Sequence, residues 1–540
     1  MMARRVLAWL VAPTALAAQN PAAAPPPAQA PAAAAPVQSP AAGEPKPIMV
    51  RSSGTVRTAA GPVAYDAVTG TLVVHPKGWD DAALPDTSKP SAVATMSYVA
   101  YFKTDARTDA DASKRPLTFL FNGGPGSATL WLHMGAFGPR RVVTNDHTHT
   151  PAAPYEMVDN DQTLLDASDL VFVDMPGTGL GRVMGKDKEK DQAFYGVDQD
   201  IHAFTVFIRD FLTKYHRWNS PKYVFGESYG TMRGAGLALA LQNESIDLNG
   251  VMLLSCILNW DTMPDDPQLN PSIDEPYVVS LPTYAATAWY HHKLPSAPAA
   301  LEPFLAEVER FATNEYALAL LQGNLLGDAQ RQAIAAKLHE YTGLSVAYLL
   351  KTNLRIEYGA FQKELLGDEA MTTGTLDTRF TGPTLDPLSK VSDYDPQSSA
   401  IGGAYVAAFN TYLAQSLRYD GPLPYKTGVG VYGTWDYKHQ APGAGRPLIA
   451  LPNVLPDLAA AMKMNPTLKV LALGGYFDVS TPYFEGKFEL RHLPIPAALE
   501  KNIEYRYYES GHMVYVNVPT LKKLHDDVVA FIHGSGGAAK

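Results

Sequence analysis

The stretch Tyr223-Val-Phe-Gly-Glu-Ser-Tyr-Gly230 decides the fold that we predict for this chain. A short apolar strand runs into a G-x-S-x-G turn, and the pattern over 229–242 predicts a helix behind it. The two glycines permit a sharp turn that presents a serine hydroxyl above the sheet, and the helix aims its free backbone N–H groups at the same place. A lone G-x-S-x-G arises easily by chance in a chain with 42 glycines, but this strand-turn-helix setting favours Ser228 as a nucleophile.

The segments around this turn alternate between strands and helices. Nearly continuous apolar runs at 117–122 and 170–174 are typical of strands that are buried on both faces. Apolar residues recur at helical spacing over 201–215, and 251–254 is a further strand. Such alternation builds a doubly covered, mostly parallel sheet. The predicted fold class is therefore α/β, with an α/β-hydrolase fold around a mostly parallel central sheet.

The alternation stops after residue 260 and resumes towards the end of the chain. Helical patterns and loops dominate 261–430, whereas strand character returns at 468–473 and 503–508. A free-standing second domain would also give this pattern, but the returning strands bracket the helical part and favour an insertion. We therefore predict three segments with these bounds: a first part of the core at 48–260, an inserted helical cap at 261–430 and a second part of the core at 431–540.

A serine nucleophile needs a base, and the base needs a carboxylate that orients it. In this fold the acid and then the histidine follow the serine along the chain. Asp478 follows the predicted strand 468–473 and His512 follows 503–508, so both lie just past the carboxyl ends of strands. Each could be an ordinary loop residue, but their order and positions together predict a catalytic triad with Ser228.

The run Asn122-Gly-Gly-Pro-Gly126 directly follows a predicted buried strand. Consecutive glycines let backbone N–H groups approach a substrate closely, which is what an oxyanion hole requires. A structural turn is the alternative, but the position upstream of the nucleophile favours the catalytic interpretation. We assign the oxyanion hole to the backbone N–H groups of Gly124 and Tyr229.

These motifs, in this order from 122 to 513, resemble the serine carboxypeptidase family. The resemblance also covers the strand and loop 169–179, and it implies release of the last residue of a peptide through an acyl-enzyme on Ser228. It further implies that Asn122 and a protonated Glu227 bind the free carboxylate of the substrate. Because an ionised Glu227 would repel that carboxylate, the resemblance implies an enzyme that favours acidic pH. A buried acid that only supports the turn is the alternative for Glu227.

Three positions depart from the pattern of that family, and other chemistry on the same scaffold stays open. Leu120 stands where the family usually has Trp, Ser127 where it commonly has Cys, and Ala136 where relatives often have Glu. An acyltransferase or an esterase would use the same triad, since both pass through an acyl-enzyme. A non-catalytic binding protein is the third hypothesis, which the intact set of motifs disfavours.

The N-terminal segment predicts export. Residues 1–18 run from basic to apolar to small side chains, as in a secretory signal peptide, and 19–47 is an alanine- and proline-rich tether. We expect the protein in the periplasm or outside the cell, with no integral membrane segment once the signal is removed. With the single cysteine Cys256, which lies in an apolar run, no intramolecular disulfide can form.

Composition restricts the partners and cofactors. The formal net charge of −10 gives no indication of nucleic-acid binding, so the expected partner is a peptide with a free C-terminus, and a homodimer stays open. The histidine pairs His147/His149 and His291/His292 lack the spacing of metal ligands. We therefore predict no metal and no cofactor.

Overall fold

The structure is a computed structural model that describes residues 45–79, 92–104, 113–264, 267–296, 298–447 and 451–536. The predicted signal peptide 1–18 and nearly all of the predicted tether 19–47 lie outside the described residues. None of the helices in these ranges is long and apolar enough to cross a membrane.

Most strands form one large sheet, and two pairs of short strands lie apart from it. The strands are β1 Met49–Thr58, β2 Gly61–Val74, β3 Val93–Lys103, β4 Leu117–Phe121, β5 Arg140–Val142, β6 Met157–Asp159, β7 Asp169–Val173, β8 Arg182–Met184, β9 Lys222–Glu227, β10 Gly250–Leu254, β11 Met371–Thr373, β12 Thr381–Pro383, β13 Lys469–Gly475 and β14 Ile503–Tyr508.

The helices cover both faces of the sheet and build the segment inserted between β10 and β13. They are α1 Asp187–Phe194, α2 Val197–Lys214, α3 Tyr229–Asn243, α4 Glu275–Tyr290, α5 Leu301–Phe311, α6 Ala317–Leu321, α7 Asp328–Thr342, α8 Val346–Lys351, α9 Tyr358–Glu364, α10 Pro396–Gln415, α11 Leu455–Met464, α12 Tyr483–Arg491, α13 Ala497–Glu500 and α14 Val518–Ser535.

The strand order of the large sheet is β1-β2-β3-β7-β4-β9-β10-β13-β14, and β8 pairs with β3. The first three strands are antiparallel to their neighbours, and every pairing from β7 to β14 is parallel. Strands β4, β7, β9 and β10 are buried along their whole length, as their apolar sequences predict. This is the α/β-hydrolase fold, and it aligns the carboxyl ends of β4, β9, β13 and β14 along one edge.

Two apolar clusters fill the two faces of the sheet, and a third fills the inserted segment. Residues of α2, α3 and α11 pack on one face, whereas α10 and α14 pack on the other. The third cluster joins α4 to α9 with α12 and the loop after β13, so the inserted helices rest directly above the end of β13. The position of α10 within 261–430 is notable because this helix packs on the sheet rather than with α4 to α9.

The helix α10 is the largest element that was not predicted individually, since 261–430 was predicted only as mainly helical. Its residues include many small side chains, Ala, Gly and Ser, which give no clear apolar stripe in the sequence. Instead, Asp395 caps its first turn by accepting a hydrogen bond from the backbone N–H of Ser398 at 2.9 Å. The helix is stabilised by its packing beneath the sheet, through Ile401, Tyr405 and Phe409 among others.

A buried ion pair joins the helix behind the nucleophile to its neighbour. Nε of Arg233, on α3, lies 2.7 Å from Oδ2 of Asp200 on α2, and neither side chain is exposed to solvent. The guanidinium also donates a hydrogen bond to the backbone oxygen of Asn122 at 2.8 Å. The pair therefore connects both helices to the loop that follows β4.

We expect Asp200→Ala to lower the free energy of unfolding by about 3–5 kcal/mol, because it leaves the Arg233 charge buried without its partner. Urea unfolding measures the loss. The matched control is Asp210→Ala on the same helix, since the Arg209–Asp210 pair is 31% and 40% exposed and its loss should cost less than about 1 kcal/mol. Equal losses in the two variants would contradict the expected role of the buried pair.

Candidate active site

The turn between β9 and α3 presents Ser228 in a strained backbone conformation. The φ and ψ angles of Ser228 are 60° and −132°, a region in which residues other than glycine rarely occur. Its backbone N–H donates to the carbonyl oxygen of Leu254 on the neighbouring strand at 3.0 Å. The side chain therefore extends beyond the sheet edge, as expected for a nucleophile elbow.

The glycines around Ser228 are required by close packing. A side chain on Gly226 would overlap the carbonyl oxygen of Gly230, and one on Gly230 would lie 2.9 Å from the carbonyl oxygen of Phe121, so both positions of the G-x-S-x-G motif favour glycine. A side chain on Gly123 would overlap the backbone nitrogen of Tyr229. The loop after β4 thus lies directly against the turn after β9, which explains why two distant glycine motifs occur in one chain.

His512 and Asp478 are hydrogen-bonded to each other beside this turn. Nδ1 of His512 lies 2.7 Å from Oδ2 of Asp478. The hydroxyl of Thr481 donates to the same carboxylate oxygen at 2.8 Å and lies 3.2 Å from Nδ1 of His512. The backbone N–H groups of Ser480 and Thr481 donate to Oδ1 of Asp478 at 2.9 and 3.1 Å. The carboxylate is therefore oriented on both oxygens, which fixes the imidazole that it holds.

The backbone of His512 is held from both sides. Its N–H donates to the carbonyl oxygen of Leu376 at 2.6 Å, and its carbonyl oxygen accepts from the hydroxyl of Ser255 at 2.8 Å. Leu376 belongs to the inserted segment, whereas Ser255 follows β10. The inserted segment thus helps to position the histidine as well as to cover the site.

A cavity of about 270 Å³ brings the predicted site residues together. Ser228 and His512 line it, as do the predicted oxyanion residues Gly124 and Tyr229 and the predicted carboxylate-binding residues Asn122 and Glu227. Asp478 does not line the cavity and lies behind His512, to which it is hydrogen-bonded. Much of the remaining wall is aromatic or aliphatic: Trp131, Ile257, Trp260, Met263, Leu376, Ile401, Tyr432 and Met513.

The two backbone groups assigned to the oxyanion hole have no hydrogen-bond partner among the described residues. Gly124 has a φ of +110°, a conformation open to glycine, and Tyr229 is the first residue of α3. The loop that holds Gly124 is fixed by 425–432, an extended segment that crosses it. In that segment Val429 donates its N–H to the oxygen of Gly126 at 2.8 Å, and the oxygen of Thr427 accepts from Ala128 at 2.9 Å.

Glu227 is buried and lies close to both His512 and Asp478. Burial raises the pKa of Glu227 to about 7, while the nearby His512 and hydrogen bonds from Tyr515 and Asn122 partly oppose the rise. The Tyr515 hydroxyl donates to Oε2 of Glu227 at 2.8 Å. Oδ1 of Asn122 accepts from the backbone N–H of Leu132 at 3.1 Å, so the donor end of its amide is the end available to the cavity side.

The charges around His512 favour its protonated form. Burial alone would lower the pKa of His512, but the carboxylate of Asp478, its hydrogen bond, and the nearby Glu227 and Asp395 outweigh burial and raise it. This arrangement stabilises the imidazolium that forms when a histidine accepts a proton from a serine.

Several residues of this site were not predicted from the sequence. Thr481, Tyr515 and the segment 425–432 support the predicted residues, and Trp131 and Trp260 line the cavity. Proximity in sequence gives a weak signal for two of them, because Thr481 follows Asp478 and Tyr515 follows His512 by three positions each. Trp131 lies five positions after Gly126, whereas Trp260 and 425–432 come from distant segments that carry no motif.

The segment from β3 to the loop after β10 matches a known protein family. Residues 93–263, which hold the Asn122 loop and the Ser228 turn, match the family profile described as serine carboxypeptidase. Over this segment the chain is therefore similar to serine carboxypeptidases. A human relative, retinoid-inducible serine carboxypeptidase, is 30% identical over 185 residues, which are 31% of this chain and 36% of that protein. The matched part of the chain therefore spans about a third of the length of this family member.

Solved structures similar to the chain include hydrolases of other kinds. They are an epoxide hydrolase from Aspergillus niger (14% identity, TM-score 0.28, 86% of this chain and 78% of that one), a monoglyceride lipase from Saccharomyces cerevisiae (10%, 0.33, 86% and 99%) and a carboxyl esterase from Bacillus coagulans (11%, 0.31, 91% and 100%).

The three positions that depart from the family pattern are all accommodated locally. Leu120 is buried within β4, and Ala136 is buried in the short π-helical segment Leu132–Phe137. The hydroxyl of Ser127 accepts a hydrogen bond from Nε1 of Trp131 at 3.2 Å. Cys256 is buried and unpaired, as predicted from its apolar surroundings. Within the described ranges, no group of three or more His, Cys, Asp or Glu side chains could hold a metal ion.

Proposed function

We propose that this protein is a serine-type carboxypeptidase that releases C-terminal residues from peptides through an acyl-enzyme on Ser228. The observation that carries the proposal is the single cavity shared by Ser228, His512, Asn122 and Glu227, with Asp478 hydrogen-bonded behind His512. The match of 93–263 to the serine carboxypeptidase profile and the fold support a serine hydrolase in general, and the two polar residues beside the nucleophile favour a substrate with a free carboxylate.

In the proposed reaction, Oγ of Ser228 attacks the carbonyl carbon of the last peptide bond while His512 accepts the hydroxyl proton. The negative oxygen of the tetrahedral intermediate accepts hydrogen bonds from the backbone N–H groups of Gly124 and Tyr229. The C–N bond then breaks as His512 donates the proton to the leaving amine. Water, deprotonated by His512, repeats the attack on the ester and releases the shortened peptide.

Recognition of the substrate carboxylate is assigned to Asn122 and to the neutral form of Glu227. Each supplies a hydrogen-bond donor in a buried place, where an unpaired carboxylate would be costly. Ionisation of Glu227 removes its donor and adds a like charge. Since the pKa of Glu227 is raised to about 7, binding should weaken as the pH rises above neutrality.

The pH dependence should be bell-shaped, because the two groups must be in opposite protonation states. His512 must be neutral to accept the serine proton, and its pKa is raised, so activity falls as the pH decreases. Glu227 must be protonated, so activity falls again above a pH of about 7. We call these two falls in activity the acid limb and the alkaline limb. Their midpoints describe the coupled titration of His512 and Glu227 rather than either residue alone, since each group shifts the pKa of the other. We expect a maximum at mildly acidic to neutral pH.

We expect Glu227→Gln to remove the alkaline limb for substrates with a free carboxylate. Above pH 7, kcat/KM of the wild type should fall about tenfold per pH unit, whereas glutamine stays a neutral donor and the variant should not show this fall. The acid limb should move to lower pH, because a negative charge near His512 is lost. The measurement is kcat/KM for a blocked dipeptide from pH 4 to 9.

The control is the same dipeptide with an amidated C-terminus, which has no carboxylate to be recognised. The wild type should hydrolyse the free acid with a much higher kcat/KM than the amide at mildly acidic pH, and the difference should shrink above pH 7. Equal values for acid and amide would reject a carboxypeptidase and favour an esterase or an acyltransferase on the same scaffold.

We also propose that the protein is exported to the periplasm or the cell exterior, on the basis of the signal-like pattern in 1–18. N-terminal sequencing of the protein purified from its own host tests this. A mature chain that begins just after residue 18 supports export, and an uncleaved chain in the cytosol rejects it.

A further inference from the structure

Tyr515 is buried beside Glu227 and has no role in the sequence motifs. It lies in the 3-10 turn Val514–Val516, and its hydroxyl donates to Oε2 of Glu227 at 2.8 Å. Its side chain is 2% exposed and that of Glu227 is 3% exposed, so no bulk water competes for this hydrogen bond. The ring of Tyr515 packs against Gly135, where a side chain would overlap it.

We propose that Tyr515 is a positioning residue that keeps the proton of neutral Glu227 on Oε1, from which it is donated to the carboxylate of the substrate. The inference rests on the proposed function and deepens it, since it concerns how the same site recognises a free C-terminus.

The orientation of Asn122 agrees with the direction of the hydrogen bond from Tyr515 to Glu227. Its Oδ1 accepts from the backbone N–H of Leu132, so the amide NH2 group faces the other way. The amide lowers the pKa of both Tyr515 and Glu227, as a nearby donor does. The Tyr515 hydroxyl donates its own hydrogen to Oε2 of Glu227 at 2.8 Å.

The position of the Glu227 proton then follows from its chemistry. A neutral carboxyl group has one O–H donor and one carbonyl oxygen. Because Oε2 already accepts from Tyr515, the neutral acid is more stable with its proton on Oε1, since a carbonyl oxygen is a stronger acceptor than a hydroxyl oxygen. Donation to Oε2 also polarises the carboxyl group and makes Oε1–H a stronger donor. Without the tyrosine hydroxyl, the proton could occupy either oxygen.

The charged and titratable groups that face Glu227 come from every part of the site. They are His512 and Tyr515 on the loop after β14, Asp478 on the loop after β13, and Tyr405 on α10. Asp395 acts on His512 and Arg141 acts on Tyr405. Burial and the negative charge of Glu227 hold the pKa of Tyr515 well above its usual range, so Tyr515 remains a donor while Glu227 titrates.

Tyr515→Phe tests the inference, since it removes only the hydroxyl and keeps the ring. For a dipeptide with a free carboxylate, KM should rise about fivefold, as for the loss of one buried hydrogen bond, while kcat changes less than about twofold. The alkaline limb of kcat/KM should move to higher pH, because a hydrogen bond that lowers the pKa of Glu227 is lost. For the amidated dipeptide, kcat/KM should stay within about twofold of the wild type.

The matched control is Tyr405→Phe. Tyr405 is also a buried tyrosine near Glu227, but none of the described hydrogen bonds joins the two, so this variant should leave the alkaline limb in place. If Tyr515 had only a structural role, Tyr515→Phe would reduce turnover of the free-acid and the amidated dipeptide alike and would not move the alkaline limb. An equal loss for the two dipeptides would overturn the inference, and so would an unchanged KM together with an unchanged alkaline limb.

A titration without substrate separates this inference from the proposed function. With carbon-13-labelled glutamate, the carboxyl signal of Glu227 is identified by its loss in Glu227→Gln, and its midpoint should rise in Tyr515→Phe. If the wild type treats acid and amide alike, the carboxypeptidase proposal fails, yet the titration still decides whether Tyr515 controls Glu227. An unchanged midpoint overturns the inference in either case.

Discussion

Replacing Ser228 with alanine should lower kcat for peptide hydrolysis by about a millionfold. The serine oxygen forms the covalent bond of the acyl-enzyme, and neither Asp478 nor His512 can substitute for it. Members of a triad act as a unit, so the remaining activity should come from binding and the oxyanion hole alone. The measurement is single-turnover hydrolysis of the free-acid dipeptide with enzyme in excess.

The control for Ser228→Ala is a measurement of its stability. Alanine keeps the φ of 60° at residue 228, so the strained turn and the thermal unfolding midpoint should change little. Ser228→Gly should be equally inactive but relieves a backbone conformation that costs on the order of 1–3 kcal/mol, and it should unfold at the same or a higher temperature. Retention of more than a small fraction of peptidase activity in either variant would reject Ser228 as the nucleophile.

Asp478→Asn should lower kcat by about ten-thousandfold with little change in KM. The wild-type carboxylate accepts from His512, from Thr481 and from two backbone N–H groups. An asparagine can present its NH2 group to Nδ1 of His512, and the imidazole proton then lies on Nε2. A protonated Nε2 cannot accept the proton of the serine hydroxyl. It also removes the charge that stabilises the imidazolium.

A second histidine–aspartate pair provides the matched control. Oδ2 of Asp457 lies 2.8 Å from Nε2 of His439, and neither residue lines the catalytic cavity. Asp457→Asn makes the same chemical change in a buried pair and should leave kcat of the folded enzyme within about twofold, although it can lower stability. If Asp478→Asn reduced kcat by less than tenfold, another group would have to orient His512.

The sequence was most informative where a backbone constraint creates a visible motif. The turn at Ser228 and the loop at Gly123 need glycines because main chains touch there, and the buried parallel strands need unbroken apolar runs. For this reason the position of the strand β14 was predicted as Ile503–Tyr508, as found, and α3 was predicted to within one residue.

The sequence was least informative where a contact joins distant segments through ordinary residues. The donation from Tyr515 to Glu227 spans 288 residues, and the backbone of His512 depends on Leu376 in the inserted segment. Neither pairing follows from periodicity or spacing, because both depend on how loops of irregular shape meet above the sheet. The helix α10 escaped prediction for a related reason, since its stability comes from the surface beneath it rather than from its own pattern.

The order of the strands along the chain also determines when the proposed catalytic groups become available during synthesis. Chains leave the ribosome N-terminus first, and β9 with Ser228 is made long before β13 and β14. In a nascent chain the turn of the proposed nucleophile, with β4 and β10 on either side of β9, is thus made while the proposed base and acid do not yet exist. The hydroxyl of Ser255 meets the backbone of His512 across 257 residues, so the site closes only when the last strand docks. The proposed triad is therefore complete only after His512 has been made.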